Sequence, residues 1–227
     1  MTEPLDRPIW HALKGRQAHL AVGTARALRF DPEVEPFVAS ADDSADALAG
    51  VAGLLKDDED RMLFIQRGAP PLPPGTREVE RGLGVQLVVD GFAPTPPPPG
   101  VIALTESDVP AMIALAALTE PGPFRKRTHT LGQFWGVKDS DGRLLAMAGE
   151  RMKLAGMSEI SGVCTHPGAR GRGLAAMLSR HVGSEICRRG EAPFLHAWAG
   201  NEGAIRLYRR LGFRIRGEVG TLLVARA

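Results

Sequence analysis

The second half of the chain alternates hydrophobic and polar residues in short runs, a spacing that predicts β-strands. Turn residues such as 139–142 separate the first runs, which predicts antiparallel hairpins. The pattern then becomes strand, helix, strand and helix, as in a crossover unit. The strands are predicted at 101–104, 133–138, 143–154, 158–167, 194–199 and 219–224, with helices through Leu118, after the glycine-rich turn at 170–173, and at 201–213.

The first half has a weaker pattern of the same kind. Apolar periodicity over 9–28 predicts one helix or two short ones, and a further helix is predicted near 44–55. Short β-like runs near 37–39, at 62–66 and at 85–90 predict strands. Together these elements indicate a small α/β unit, and it has no arrangement of residues typical of catalysis.

A proline-rich segment separates the two halves. Four consecutive prolines at 96–99 fix φ and remove four backbone donors, which favours an extended polyproline spacer over a helix or a central strand. We therefore predict three parts: a small α/β N-terminal domain at 1–93, a linker at 94–100 and a second domain at 101–227.

Composition predicts a cytoplasmic globular protein. The chain has 227 residues, 44% of them hydrophobic, and no apolar run approaches the roughly 18 residues that span a bilayer. Its N-terminus lacks the features of a secretory signal. Cys164 and Cys187 are too few for a disulfide framework and lack metal-ligand spacing, so we expect reduced thiols and no bound metal.

Positive charge is concentrated late in the chain. The net charge is only +2, yet ten arginines and three glutamates lie between Arg170 and Arg216. Such a cluster suits a polyanionic ligand, either a nucleic acid or a phosphate-rich cofactor, and it is also compatible with a solvated basic face. Composition does not choose among these.

The turn from Arg170 to Ala175 has the composition of an anion site. Glycines at 171 and 173 let successive N–H groups point inward at the start of a helix, where the helix dipole also favours a pyrophosphate. The turn also fits the dinucleotide fingerprint G-x-G-x-x-A. Against that alternative, residues 165–169 separate the turn from its strand, and too few residues follow to complete such a fold.

The segment from Asn201 to Phe213 predicts an amphipathic helix with a defined start and end. Asn201 is a good N-cap, and Gly212 fits the C′ position. Tyr208 is the single tyrosine of the chain and lies on the apolar face of this helix, where packing would account for it.

Taken together, these motifs closely resemble those of the GNAT superfamily of acyl-CoA-dependent N-acyltransferases. The resemblance rests on the strand end V-C-T-H-P, the turn R-G-R-G-L-A and the helix N-x-x-A-x-x-L-Y-x-x-L-G-F, and it covers 101–227. Residues 121–124 and 159–167 are similar to the branch that includes glycine N-acyltransferase-like proteins. The resemblance implies a GNAT-type α/β fold, whose mixed, mostly antiparallel sheet has splayed central strands. The N-terminal domain that precedes it is a candidate for a degenerate half-copy of the same fold.

For the cofactor, the resemblance implies acetyl-CoA, or another acyl-CoA, as a co-substrate between the strands at 158–165 and 194–199. One N–H near Val163 would polarise the thioester carbonyl. The implied contacts are backbone groups of Val163, Cys164 and Thr165 for the pantetheine, amides of Arg170, Gly171, Arg172, Gly173, Leu174 and Ala175 for the pyrophosphate, and Asn201 and Ala204 on the opposite wall.

For the chemistry, the resemblance implies direct attack of a neutral amine on the thioester, without a covalent enzyme intermediate at Cys164. We predict that Tyr208 is the acid for the departing thiolate and that Glu159 is the base, acting through water. Glu159 has an alternative interpretation as a solvent-facing strand charge, and His166 is an alternative base.

The sequence thus predicts an N-acyltransferase that moves an acetyl or other short acyl group to a primary amine. The predicted acceptor is a small-molecule amine or an amino-acid-like compound, and we expect neither a nucleic acid nor a membrane as partner. A non-catalytic acyl-CoA-binding sensor or interaction module is the alternative function. The oligomeric state stays open.

Overall fold

The computed structural model describes residues 3–93 and 95–227. Within these ranges no helix is both long enough and apolar enough to cross a bilayer. The helices are α1 (Pro8–Lys14), α2 (Ala45–Ala52), α3 (Val109–Thr119), α4 (Leu174–Arg188) and α5 (Glu202–Arg210). The strands are β1 (Ala21–Gly23), β2 (Ala27–Phe30), β3 (Val38–Ser40), β4 (Met62–Arg67), β5 (Thr76–Val88), β6 (Ile102–Ala103), β7 (Phe134–Lys138), β8 (Leu144–Leu154), β9 (Met157–Thr165), β10 (Ala192–Trp198) and β11 (Arg214–Arg226).

Eight strands form one large sheet in the order β4-β11-β5-β10-β9-β8-β7-β6, and β1, β2 and β3 form a small antiparallel sheet. All neighbours in the large sheet are antiparallel except β9 and β10. Strand β5 comes from the first half of the chain, yet it lies between β10 and β11. The large sheet therefore combines strands from both sides of the proline-rich segment, while the domain division at 94–100 stays a prediction.

The large sheet lies between the two largest hydrophobic cores, because side chains along a strand alternate between its faces. On β5, Leu87 packs in the core that contains residues of α4 and α5, whereas Val88 packs in the core that contains residues of α1. Phe194 of β10 is fully buried on the same side as Val88 and Ile9. The N-terminal segment, residues 5–39, therefore covers one face of the sheet, and α4 and α5 cover the other.

The elements of the second half follow the predicted pattern. The prediction of one helix or two short ones over 9–28 holds for α1 and for a 3-10 turn at Ala18–Leu20, and it is wrong from Ala21 onward. Helix α1 gives way to a turn at Gly15, and residues 21–30 contain strands β1 and β2. Strand β2 pairs with β3 and buries Phe30 completely. Contacts with residues distant in sequence therefore override the local helical spacing.

The two central strands, β9 and β10, separate after one short paired segment. They pair only where 192–194 meet 157–159. A β-bulge follows on β9, because Gly162 and Val163 together oppose only Ala148 of β8. The predicted mixed, mostly antiparallel sheet with splayed central strands is confirmed.

Replacing Gly162 by alanine should destabilise the fold more than replacing Gly156, the glycine of the β8–β9 turn. Their φ angles are +62° and +69°, so both alanines incur a left-handed backbone cost of about 1 kcal/mol. A Cβ on Gly162 would also lie 2.8 Å from Cε1 of Phe134, whereas a Cβ on Gly156 meets nothing within 4 Å. In chemical denaturation we expect Gly162→Ala to lose about 1–3 kcal/mol more than Gly156→Ala. Equal losses would contradict the close contact with Phe134.

Candidate functional site

An open cleft lies where β9 and β10 separate. One wall comes from β9 and the other from β10, and the start of α5 closes one end. The N-terminal segment and β11 supply apolar side chains, and the loop after α3 forms a further edge. The lining residues used below are Phe37, Leu63, Ile65, Glu120, Arg151, Val163, His196, Asn201, Ala204 and Tyr208.

Four of the predicted site residues line this cleft: Val163, Asn201, Ala204 and Tyr208. They come from β9 and from the first two turns of α5, which are far apart in sequence. The splay of the two central strands brings them together. Their contacts with an acyl-CoA stay predictions.

The backbone of β9 turns one edge toward the cleft. His166 donates its N–H to the carbonyl of Leu145 on β8 at 2.8 Å. Since successive residues of a strand direct their N–H groups to opposite edges, Thr165 directs its N–H to the side from which β10 has departed. The side chain of Cys164 packs in a separate core with Met147, and burial raises the pKa of its thiol to about 11.

The alternative base His166 takes part in the turn that follows β9. Its Nδ1 accepts a hydrogen bond from the N–H of Gly168 at 3.1 Å. The ring does not line the cleft between β9 and β10. This contact gives His166 a local role in shaping the turn.

The predicted anion cradle lies at the N-terminus of α4. Gly171 and Gly173 have φ angles of +78° and +73°, and a Cβ on either would meet no atom within 4 Å. Arg170 and Arg172 are exposed, while Leu174 is buried and anchors the start of the helix in the core. The first N–H groups of α4 lack intrahelical acceptors, as at any helix N-terminus. Free donors, open space and two arginines together favour bound phosphate groups.

Tyr208 reaches the cleft from α5. Asn201 caps this helix by accepting the N–H of Ala204 at 3.0 Å, and the Tyr208 ring packs edge-on against Phe213 with 5.9 Å between centroids. Within residues 3–93 and 95–227 the hydroxyl forms no hydrogen bond. Burial and the charge of Glu159 raise the pKa of Tyr208 to about 12, so the phenol is protonated at neutral pH.

Glu159 is the buried partner of an ion pair. Arg151 donates to its carboxylate from Nε at 2.9 Å and from Nη2 at 2.7 Å, and His196 Nδ1 lies 2.8 Å from Oε1. Burial alone would raise the pKa of Glu159, but Arg151 and His196 outweigh it and lower the pKa to about 2. The solvent-facing alternative is wrong because Glu159 is fully buried. A carboxylate held this strongly in its ionised form is a weak proton acceptor, so the geometry favours a positioning role over the predicted role as base.

The hydrogen bonds of His196 define its tautomer. Gln86 Nε2 donates to the carbonyl of Leu5 at 2.9 Å and lies 3.0 Å from His196 Nε2. Arg216 donates to Gln86 Oε1 at 3.1 Å, which sets the orientation of the amide. His196 Nε2 therefore accepts a hydrogen bond, and Nδ1 donates to Glu159. Both ring nitrogens are engaged, although the ring borders the cleft.

The cleft residues that the sequence analysis missed include Phe37, Glu120, Arg151 and His196. The guanidinium of Arg151 lies over the Phe37 ring, 4.8 Å from its centroid. Arg151 Nη1 bonds to no residue in the described part of the chain. The strand pattern at 143–154 placed Arg151 in a strand but contained no signal for its burial or its partner. Glu120 was visible only as a residue just beyond the helix predicted through Leu118.

Comparison with known proteins finds both a family and structural neighbours. The family model described as FR47-like protein matches residues 136–220. A solved structure from Novosphingobium aromaticivorans, assigned to the GNAT family of acetyltransferases, is 45% identical to this chain, with 100% of each chain covered and a TM-score of 0.94. The GCN5-related N-acetyltransferase from Kribbella flavida is 20% identical, with 98% of this chain and 95% of that chain covered and a TM-score of 0.66, which is a likeness of fold. A search of curated proteins finds no match.

Proposed function

The chain belongs to the GNAT family of acetyltransferases, and from that premise we propose that it transfers an acetyl group from acetyl-CoA to the primary amine of a small molecule. The observation that carries this proposal is the cleft between β9 and β10, into which Tyr208 projects with an unpartnered hydroxyl within the described ranges. A closed sheet would leave no room for a thioester between the strands.

The residues around the cleft fit acetyl-CoA. The open space at Gly171 and Gly173, the free amides of α4 and the exposed Arg170 and Arg172 suit its phosphates. The free edge of β9 at Val163 to Thr165 suits the amides of the pantetheine arm. When bound, the co-substrate supplies an activated acyl group.

The protein contributes positioning and hydrogen bonding to a direct attack by the amine. An N–H near Val163 stabilises negative charge on the carbonyl oxygen. Tyr208 donates a hydrogen bond to the departing sulfur. Glu159 orients Arg151 and His196 along the wall of the cleft. No side chain becomes acylated in this scheme.

The acceptor that the cleft suits best is an amine that also carries a carboxylate. Arg151 is buried and spends Nε and Nη2 on Glu159, which leaves Nη1 available at the cleft. A guanidinium nitrogen without a partner at the wall of a cleft can bind a carboxylate with a charge-assisted hydrogen bond. Phe37, Leu63 and Ile65 supply an apolar wall for the remainder of the acceptor.

We expect release of free thiol from acetyl-CoA to depend on an added amine, and amino acids to be better acceptors than their amides. The amide keeps the side chain and the position of the amine but lacks the carboxylate, so it is the control for the contact with Arg151. We expect kcat/KM for the amino acid to exceed that for its amide by about 10-fold to 100-fold, since one charge-assisted hydrogen bond contributes about 1.5–3 kcal/mol. Thiol detection across a panel of such pairs measures the ratio. Equal values would contradict the carboxylate contact.

The alternative function, a non-catalytic acyl-CoA-binding module, predicts a different result. Acetyl-CoA would bind in calorimetry, but no amine would cause release of thiol. The free hydroxyl of Tyr208 favours catalysis, because a binding module needs no hydrogen-bond donor at the sulfur. Membership of the glycine N-acyltransferase-like branch and a cytoplasmic location remain predictions from the sequence.

A further inference from the structure

We propose that Glu120, at the end of α3, holds the ammonium group of the acceptor in the cleft and takes the proton that it loses before attack. This inference rests on the proposed acetyltransferase function and adds a catalytic residue that the sequence analysis did not find. Glu120 lines the cleft and is the only acidic residue among the described residues that do so. Its exposed side chain forms no hydrogen bond or ion pair within 3–93 and 95–227.

The backbone of Glu120 has a left-handed conformation where α3 ends. Its φ and ψ are 48° and 57°, and it is the only residue other than glycine with a positive φ in the described ranges. This left-handed position at the end of a helix is usually taken by glycine, which adopts it without cost. The chain instead carries a carboxylate there, at the edge of the cleft. Strain of this kind at a cleft is typical of functional positions.

The position also suits a cation because it lies at the C-terminal end of α3. The last carbonyl groups of a helix carry partial negative charge, and α3 has 11 residues aligned toward this end. Its C-terminal turn holds no basic side chain. A carboxylate and the helix end therefore act together on an ammonium group placed beside them.

The other titratable groups that line the cleft are Arg151, His196 and Tyr208, and none of them is a free base. Arg151 is a cation paired with Glu159. His196 has both ring nitrogens engaged, and Tyr208 is protonated. Glu120 is the remaining group that can accept a proton in the part of the cleft that the structure describes.

The proton balance of the step is simple. The N–H bond of the ammonium breaks, its electron pair stays on nitrogen, and an O–H bond forms on the Glu120 carboxylate, which then releases the proton to solvent because it is exposed. The nitrogen forms a bond to the acyl carbon while the bond from carbon to sulfur breaks. The nitrogen then loses a second proton to the solvent, which leaves a neutral amide. The sulfur leaves with the electron pair and a hydrogen bond from Tyr208, and its final proton comes from the solvent.

The test separates the effect of the Glu120 carboxylate from the effect of the backbone strain at position 120. Glu120→Gln and Glu120→Gly both remove the carboxylate, but only the glycine relieves the strain. We expect both to lower kcat/KM for the amine about 10-fold to 100-fold at pH 7, with the deficit shrinking as pH rises and the neutral amine becomes abundant. We also expect Glu120→Gly to raise Tm by about 2–4 °C. Glu80→Gln, on an exposed strand position outside the cleft, should match the wild type in both readouts.

The outcomes separate this inference from the proposed function. If the wild type is active and Glu120→Gly has the same kcat/KM as the wild type, the role of Glu120 is overturned and the acetyltransferase function stays in place. A loss of kcat/KM that is the same at all pH values would also overturn it, because it would indicate a distorted cleft and not a missing proton acceptor. Failure of the wild-type protein to acetylate any amine would overturn the proposed function and this inference with it. Binding of acetyl-CoA, measured by calorimetry, should be unchanged in every variant.

Discussion

Tyr208→Phe should lower kcat about 100-fold to 1000-fold and leave the affinity for acetyl-CoA nearly unchanged. The substitution removes only the hydroxyl, and the ring that packs against Phe213 at 5.9 Å stays in place. A departing thiolate then lacks its hydrogen-bond donor. Because the pKa of Tyr208 is about 12 and that of an ordinary thiol is about 8.5, the phenol stabilises the sulfur chiefly by donating a hydrogen bond.

Two measurements check this expectation. Thiol release at saturating acceptor gives kcat, and calorimetric titration gives the affinity for acetyl-CoA. In the wild type, ionisation of Tyr208 should cause no loss of rate below about pH 11, since burial keeps the phenol protonated there. An unchanged kcat would remove Tyr208 from the mechanism. A loss of affinity equal to the loss of rate would instead assign it a role in binding.

Glu35→Gln should remove a large pH dependence from the stability of the fold. Glu35 lies in the loop between β2 and β3 and is fully buried, and neither carboxyl oxygen has a hydrogen-bond partner within the described ranges. The nearby hydroxyl of Thr128 donates to the carbonyl of Val34 at 2.7 Å instead. Burial raises the pKa of Glu35 to about 8, although Arg151 and Arg125 act to lower it. The carboxyl group is therefore protonated in the folded protein at neutral pH.

The sign of the effect follows from linkage. A folded-state pKa above the unfolded value of about 4.5 means that the folded protein binds this proton more tightly. The contribution to stability is fully present below about pH 4.5 and is lost as pH rises toward about 8. A shift of this size corresponds to roughly 3–6 kcal/mol over that window.

Urea denaturation at several pH values between 5 and 8.5 measures how the free energy of unfolding changes with pH. Wild-type protein and the Glu33→Gln control, an exposed carboxylate in the same loop, should both lose stability with rising pH. Over the full window, Glu35→Gln should lose roughly 3–6 kcal/mol less unfolding free energy with rising pH than the wild type does, whatever its absolute stability. Parallel slopes in all three proteins would show that Glu35 does not hold its proton in the folded state.

Features that depend on neighbours in the chain were predictable. Asn201 was expected to cap its helix and does so by accepting the N–H of Ala204. The glycines at 171 and 173 were expected to allow an unusual turn and have positive φ angles. The order of strands and helices after residue 100 was also predicted correctly. Each depends on backbone preferences within a few residues, so local sequence contains the information.

The location of charges was much less predictable. Glu159 was expected to face the acceptor, but it is fully buried against Arg151, which lies eight residues earlier across a hairpin. The protonated state of Glu35 and the exposure of Glu120 at the cleft depend on segments that pack together from both halves of the chain. A charge pattern along the sequence does not state which charges are removed from water.

By itself the sequence determined the family resemblance, the crossover order of the second half and the glycine turn before α4, because short-range motifs encode them. Only the tertiary structure decided that β5 enters the large sheet beside β10 and that Phe37 contributes to a wall of the cleft. It also decided that buried Glu159 is ionised while buried Glu35 is protonated. The physical reason is that strand pairing and pKa depend on contacts between residues far apart in sequence and on the burial that those contacts produce. Val88 pairs with Arg214 of β11, 126 positions later, and Thr76 pairs with Arg226, 150 positions later.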